Sequence, residues 1–412
     1  MTDNVIFTIC AKNYMAQALT LRESALRYNE EDFYIFLADD IQDLVIDGLI
    51  GLSEDWLPNW IQMAFKYDVI EFNTSIKPFC IKKLMDMGYR KIIYLDPDIY
   101  VTDKLNYVWE HLENYAIQLT PHYCDCVEHF NGAVDEETFM CAGIFNLGFC
   151  AIKNNDVGKE IVGWWMNRLM MKCYSDRPKG MFVDQKWMDF VPAFFSESVH
   201  ISHHLGMNVA IWNLHERTLE LHGKDYYIYR KRTGEVFPLL FFHFSGFDPF
   251  DKQTINRRHP QYNTNTYPSF KPIIEEYRHL IYQNGYDKYK IMPYAFDTFD
   301  DGEPVMPLQR RIYREYIERG GNTIVENPFA KKTVFYHRLS KNGIIVSKNK
   351  KNKEIVQITI KDKNRGFAKE KKYIWPLLRV LIKCIGIKHY SMLIRYAALL
   401  SRKEYHYFLI SD

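Results

Sequence analysis

The chain has 412 residues and a mass of 49.1 kDa, enough for one large core or two modest ones. Hydrophobic residues at 47% and charged residues at 25% are ordinary globular usage, which excludes a largely disordered or fibrous protein. The formal charge of +2 implies no nucleic-acid partner, and no run reaches the ~18 apolar residues of a membrane span.

Val5 to Ile9 is apolar and β-branched, a buried strand by pattern, and Ala16 to Tyr28 reads as an amphipathic helix. A second strand, Phe33 to Leu37, ends at Asp39 and Asp40. Helical patterns then pass through Trp60 and Phe65 to a short strand candidate, Asp68 to Glu71. Ile76 to Met87 is helical, Gly88 closes it, and Lys91 to Leu95 is a strand running into Asp96-Pro97-Asp98. Strands alternating with helices imply an α/β fold with a sheet covered on both faces and ligands at the carboxyl ends of its strands. Further on come a strand-like run from Ala142 to Lys153, a helix from Lys159 to Met170, and an apolar strand from Phe237 to Phe244. A polar stretch from Asp251 to Asn265 precedes helical character from Tyr267 to Tyr282. The 29 Tyr and 27 Phe suit stacking on sugar or base rings, and serve a core equally well.

Charge divides the chain. From Lys331 to Asp412 there are 20 Lys and Arg against five acids, whereas the preceding residues carry 33 bases against 46 acids. Residues 1–326 are therefore read as the catalytic body and 327–412 as a basic C-terminal region. Lys341 to Asn364 reads as a hairpin or a linker, and Tyr373 to Leu409 resembles a basic amphipathic helix pair suited to an anionic membrane surface or to packing on the body. The opening residues show no signal-peptide pattern, and eight scattered Cys suit reduced thiols. The expectation is a cytoplasmic protein, peripheral at the inner face of the plasma membrane if the tail docks there. His122, Cys124, Cys126 and His129 lie close in sequence, but C-x-C without a second matched pair reads as a polar loop with free thiols rather than a zinc site.

The chemistry concentrates at Asp96-Pro97-Asp98. Residues two apart in extended backbone face one side, and Pro97 fixes a dihedral between them. Two carboxylates held together repel, and a hard divalent cation, Mn²⁺ or Mg²⁺, answers that repulsion with oxygen ligands. A solvated turn is the plain alternative.

The run Tyr94-Leu95-Asp96-Pro97-Asp98-Ile99-Tyr100-Val101 resembles the D-x-D region of GT-A-fold glycosyltransferases, particularly the family 8 retaining enzymes and bacterial relatives acting in surface-polysaccharide assembly. Phe145-Asn146-Leu147-Gly148-Phe149, Phe182-Val183-Asp184-Gln185 and Phe242-His243-Phe244-Ser245-Gly246 are similar, in order, to three further segments of that family. The resemblance covers roughly Val5 to Asp248. It implies a GT-A (Rossmann-like) mixed sheet flanked by helices, with a basic helical appendage at the C-terminus. It also implies metal ligation by Asp96, Asp98 and His243, and a nucleotide-sugar donor, by preference a UDP-sugar. Asn146, Gly148 and Gly246 would lie at the donor, and Asp184 and Gln185 near the anomeric carbon. The plain alternative for Asp184 is a helix N-cap before Lys186 to Phe190. Tyr14 and Asp40 would grip base and ribose, Lys77 could reach the diphosphate, and Asn208 and Trp212 are candidates for donor or acceptor contacts. The implied reaction passes a sugar, with retention, to a glycan or lipid-linked acceptor. Phe247-Asp248-Pro249 departs from the family, which commonly places a lysine there, and Lys252 or Arg257 is the candidate replacement. Competing readings are a nucleotidyltransferase, though Ala11 to Tyr14 lacks the glycine-rich loop, and a non-catalytic membrane-peripheral binding protein.

Overall fold

The computed structural model describes residues 3–42, 44–251, 253–320, 326–345 and 368–410. Two compact units emerge: Met1–Trp60 with Val69–Tyr294, and Ile61–Asp68 with Ala295–Asp412. The second unit thus begins, along the main chain, at Ala295 and also takes in residues 61–68.

The first unit is built on a seven-stranded sheet. Its strands are β1 (Asn4–Cys10), β2 (Asp32–Leu37), β3 (Leu49–Ile50), β4 (Lys91–Leu95), β6 (Ile117–Pro121), β7 (Phe145–Lys153) and β10 (Val199–Ile201), in the order β10-β6-β7-β4-β1-β2-β3. β4, β1, β2 and β3 run parallel, and β10 runs parallel to β6. β7 opposes both of its neighbours, so the sheet is mixed. Val5 to Cys10 and Lys91 to Leu95 are buried at every position, the pattern of strands covered on both faces. The helix Met15–Tyr28 buries Met15, Ala18, Leu21 and Ala25 at helical spacing. The helix Lys77–Asp86 carries Pro78 in its first turn and ends before Gly88, whose φ of 100° suits a residue without Cβ.

Smaller sheets complete the unit. β5 (Ile99–Val101) follows the acidic turn and pairs antiparallel with β14 (Phe241–His243). β8 (Ser175–Asp176) pairs with β9 (Met181–Phe182), and β11 (Arg217–His222), β12 (Asp225–Arg230) and β13 (Val236–Pro238) form a meander.

Three expected strands differ. Of Asp68 to Glu71, the residues from Val69 on lie in the helix Val69–Ser75, where Glu71 and Phe72 are buried and the Glu71 carboxylate accepts the Ser175 amide at 2.9 Å. A short β-branched pair with no partner strand yields to that packing. Phe237 to Phe244 is two strands, β13 and β14. Leu239 and Leu240 between them are buried while their amides bond to Tyr226 and Gly206 carbonyls. Ala142 ends the helix Glu136–Ala142 rather than beginning β7.

In the second unit, Phe65 sits among the rings of Tyr313, Phe329, Phe299 and Phe335 at 4.9 to 5.7 Å. The buried Arg310 donates through Nη1 to the carbonyls of Ala64, Phe65 and Tyr67 at 2.8 to 2.9 Å, satisfying the open end of the helix Trp60–Lys66. Near the C-terminus, Ala368–Leu400 is helical on both sides of a break at Gly386 (φ 74°), as a helix pair requires. Ile355 to Ile360, expected in a hairpin or linker, lie outside the described residues.

Three imidazoles of the first unit, His122, His200 and His204, are held down at about 4, by burial first. His200 also stacks on His111 at 4.0 Å. Each binds fewer protons folded than unfolded, where its pKa is about 6.5. The stability it contributes is therefore present above that value and lost as pH falls toward 4. We expect the thermal midpoint to drop between about pH 6.5 and 4, and His200→Gln to flatten part of that slope. A midpoint unchanged across the window would contradict this.

Candidate active site

The acidic turn and the late histidine meet through sheet register. Asp96 leaves β4 with its amide bonded to the Gly148 carbonyl at 2.8 Å, and Ile99 N closes the turn on Asp96 O at 3.0 Å. His243 is registered opposite Ile99, and Phe244 N donates to Asp98 O at 2.8 Å. His243 Nε2 consequently lies 3.2 Å from Asp98 Oδ1 and 3.7 Å from Asp96 Oδ2. Ligand atoms of the three residues all lie within 4.8 Å of one another, the one such group among the described residues. The two carboxylates are partly exposed, 30% for Asp96 and 20% for Asp98, so the cluster opens to solvent over a buried imidazole.

The imidazole is aimed from behind. The Asn208 amide nitrogen donates to Asn146 Oδ1 and to Thr120 Oγ1, both at 3.0 Å, which turns its oxygen toward His243 Nδ1 at 3.0 Å. Nδ1 therefore carries a proton, and Nε2 is the ring nitrogen that faces the carboxylates. Asn208 adopts φ 50°, a left-handed conformation that asparagine tolerates. Gly148 provides the seat: a Cβ there would come within 2.8 Å of both His243 Nδ1 and Asn146 Oδ1. The Trp212 ring meets the imidazole edge to face at 5.1 Å.

Two carboxylates and one oriented imidazole nitrogen are a donor set that fits Mn²⁺, or Mg²⁺ with more reliance on oxygen. Burial and Asp98 hold the Asp96 carboxyl above its ordinary range, against Lys77, His243 and the Tyr94 hydroxyl, which donates to Asp96 Oδ1 at 2.5 Å. Burial alone would lower His243, but Asp98 and Asp96 outweigh it and raise it. The cluster is electrostatically unsatisfied in the direction that a cation corrects.

Asp184 and Lys77 form a second, buried feature. Lys77 Nζ donates to Asp184 Oδ2 at 2.5 Å and to Leu147 O at 2.7 Å, and lies 4.2 Å from the centroid of the Tyr94 ring. Lys77, expected at a diphosphate, is thus 1% exposed and engaged by a carboxylate. Burial would lower its pKa, but Asp184 and Asp96 outweigh that and raise it; burial raises Asp184 against the pull of Lys77. Asp184 stands at the start of the 3-10 helix Gln185–Phe190, yet its side chain caps no amide, so the N-cap reading fails. Val183 before it has φ 42°, a strained conformation for a β-branched residue. Gln185 is fixed at both ends, accepting from Leu147 N at 3.1 Å and donating to Ala142 O at 3.0 Å.

At the ends of β1 and β2, Tyr14 closes the 3-10 turn Lys12–Tyr14 and is 41% exposed. Burial first, and then the charge of Asp98, raise its phenol. Asp40 is engaged by the ammonium of the buried Lys12, whose amide donates to Asp39 Oδ2 at 3.2 Å. Gly246 has φ 70° and lies against Asn256. Lys252 lies outside the described residues, and Arg257 bonds through its amide to Gly246 O at 3.1 Å. His122 faces Ile144 O and Asn146 rather than Cys124 or Cys126.

Sequence reasoning overlooked Lys12, Tyr94 and Thr120. Lys12 was legible in principle, as a lysine just past one strand end facing an acidic pair past the next. Tyr94 is two residues before Asp96, the same-face spacing of a strand. Thr120 carried no local signal.

No family model matches the chain. It is similar to the uncharacterized protein YfnF of Bacillus subtilis, with 23% identity over 250 residues covering 58% of this chain and 80% of that protein. Among solved structures it is similar to the galactosyltransferase LgtC, with 16% identity, a TM-score of 0.39, and coverage of 70% of this chain and 97% of that one. It is also similar to the glycosyltransferase GlyE of Streptococcus pneumoniae, at 15% identity, a TM-score of 0.37, and coverage of 72% and 67%.

Because a methyl at position 148 collides with the imidazole, Gly148→Ala is expected to weaken Mn²⁺ binding by about 10- to 100-fold. Calorimetric Mn²⁺ titration of the folded variant checks this, and undiminished affinity would show that His243 is not seated as described.

Proposed function

We propose that this chain is a metal-dependent glycosyltransferase that takes a sugar from a nucleotide-diphosphate sugar, a UDP-sugar by preference. The observation that carries the reading is the meeting of Asp96, Asp98 and His243 at a strand end, with Nε2 turned toward both carboxylates. These three residues would hold the divalent cation, which when bound supplies positive charge against a departing diphosphate. Asn208, Asn146 and Gly148 keep the imidazole oriented, so little reorganisation is needed when charge develops.

Asp184 and Gln185 are the residues assigned to the sugar side. Lys77 pins the Asp184 carboxylate and Leu147 N with Ala142 O pins the Gln185 amide, giving two fixed dipoles that can steady positive charge at an anomeric carbon. Tyr14 and Asp40 are assigned to the nucleoside. Gly246 would let backbone approach the donor closely. Retention, a glycan or lipid-linked acceptor and a place in bacterial surface-polysaccharide assembly complete the reading. Against a nucleotidyltransferase, Ala11 to Tyr14 has no glycine and Lys12 is tied to Asp40 rather than open to a phosphate.

The tail is proposed to rest on an anionic membrane surface from the cytoplasmic side. From Lys371 to Lys403 the sequence has eight Lys and Arg and no acid. Tyr373, Leu377, Val380, Ile387 and Met392 are 57 to 76% exposed in the same segment. Apolar and cationic groups together suit a headgroup boundary. No helix among the described residues is long and apolar enough to cross a membrane.

Asp98→Asn is expected to abolish Mn²⁺-stimulated hydrolysis of the accepted UDP-sugar, found by screening nucleotide sugars, while leaving the circular dichroism spectrum unchanged. Full activity in that variant would remove the metal assignment. For the tail, Lys383→Glu with Lys388→Glu and Arg395→Glu in the full chain is expected to reduce sedimentation with phosphatidylserine vesicles. Equal sedimentation would remove the docking proposal.

A further inference from the structure

The proposed donor would bring two phosphate charges to the acidic cluster, and its cleavage would leave a further charge on the diphosphate. Two carboxylates and a dication balance each other, so those charges need protein cations. The two buried lysines of the region are not open to them: Lys77 is engaged by Asp184 and Leu147 O, and Lys12 by Asp40. Arg278 donates to the carbonyls of Pro249 and Asp251, and Lys290 pairs with Asp287 at 3.0 Å.

Arg257 and Arg258 differ. Both are exposed, and neither guanidinium makes a hydrogen bond or ion pair among the described residues. Their backbone is nonetheless fixed beside the cluster. Arg257 N donates to Gly246 O at 3.1 Å, three residues beyond His243. The buried Asn256 bonds Ser245 O through its amide nitrogen and accepts Arg258 N at 2.7 Å through its oxygen. The loop that carries both arginines is thus pinned to Ser245 and Gly246, the residues that follow His243 out of β14.

We infer that Arg257 and Arg258 form the cationic wall of the diphosphate site, on the side of the bound phosphates away from Asp96 and Asp98. The assignment rests on the nucleotide-sugar reading above. It gives the role to a pair of guanidiniums on the 251–265 loop, where Asp248 supplies an acid after Gly246 and Lys77 is withdrawn into the fold. Each guanidinium has a planar fork of donors that matches phosphate oxygens. Being unpaired and solvated, the pair can engage a diphosphate without first breaking a buried ion pair.

The test compares UDP with uridine by calorimetry on the full-length protein, with Mn²⁺ and again in EDTA. For Arg257→Ala with Arg258→Ala we expect UDP affinity to fall by at least about tenfold in both conditions, with uridine affinity unchanged. The corresponding pair of lysine substitutions should restore part of the loss, because point charge returns without the fork. The wild-type preference for UDP over uridine should also shrink as salt rises, and shrink less in the double alanine variant. Undiminished UDP binding by the alanine variant, with wild type binding normally, overturns the arginine assignment and leaves the transferase reading standing. Equal loss of uridine also overturns it, since the arginines would then act on the nucleoside. Failure of the wild-type protein to prefer UDP over uridine overturns both.

Discussion

Two carboxylates held within reach of each other and of an imidazole are unstable company, and the architecture around them exists against their repulsion. Asp96 and Asp98 cannot separate: one amide is tied to β7 at Gly148 and the other residue's carbonyl to β14 at Phe244. His243 cannot turn away, because Gly148 leaves it a seat and Asn208 holds its Nδ1 proton. Four strands, β4, β5, β7 and β14, thus converge on one patch of negative potential. Breaking any one contact would let the carboxylates relax apart. A structure that denies them that relaxation is preorganised for a cation.

The same region neutralises its other charges internally. Lys77 with Asp184 and Lys12 with Asp40 are buried or half-buried pairs whose partners lie 107 and 28 residues apart in sequence. Pairs of this kind add little net stability, but removing one partner strands a charge, so each pins two distant segments together. Lys77 joins the helix before β4 to the strained Val183-Asp184 step, and its ammonium caps the Leu147 carbonyl on the way. Strain at Val183 persists because the Tyr174 carbonyl and this ion pair hold the backbone on either side of it. With these two lysines paired inside the fold, the proposed diphosphate site draws its cations from the loop that carries Arg257 and Arg258.

The second unit follows different physics. Its core is aromatic, gathered around Phe65, and the buried Arg310 satisfies helix-end carbonyls instead of forming a site. The C-terminal helices leave large apolar side chains in water beside cations, an arrangement that burial in a core would not produce.

Much of the scaffold was legible because it is local. β1, β2 and β4 are short apolar runs with turn signals at their ends, and the helices Met15–Tyr28 and Asp156–Lys172 have caps or spacing that any window of residues displays. The acidic turn was legible too, since strand, Asp-Pro-Asp and strand are contiguous. Two expectations failed where local pattern was ambiguous: a β-branched pair at 69–70 became helix, and the apolar run before His243 broke into two strands. By itself, then, the sequence determined the alternation of elements, the placement of Asp96 and Asp98 past a buried strand, and the uneven distribution of charge. Only the tertiary structure decided that β7 runs against its neighbours, that residues 61–68 belong with 295–412, and that Lys77 faces Asp184 while Arg257 and Arg258 find no side-chain partner among the described residues. Those facts rest on contacts between residues tens to hundreds of positions apart, and such contacts leave no periodic trace in the chain because packing and charge pairing select them only once the sheet has formed.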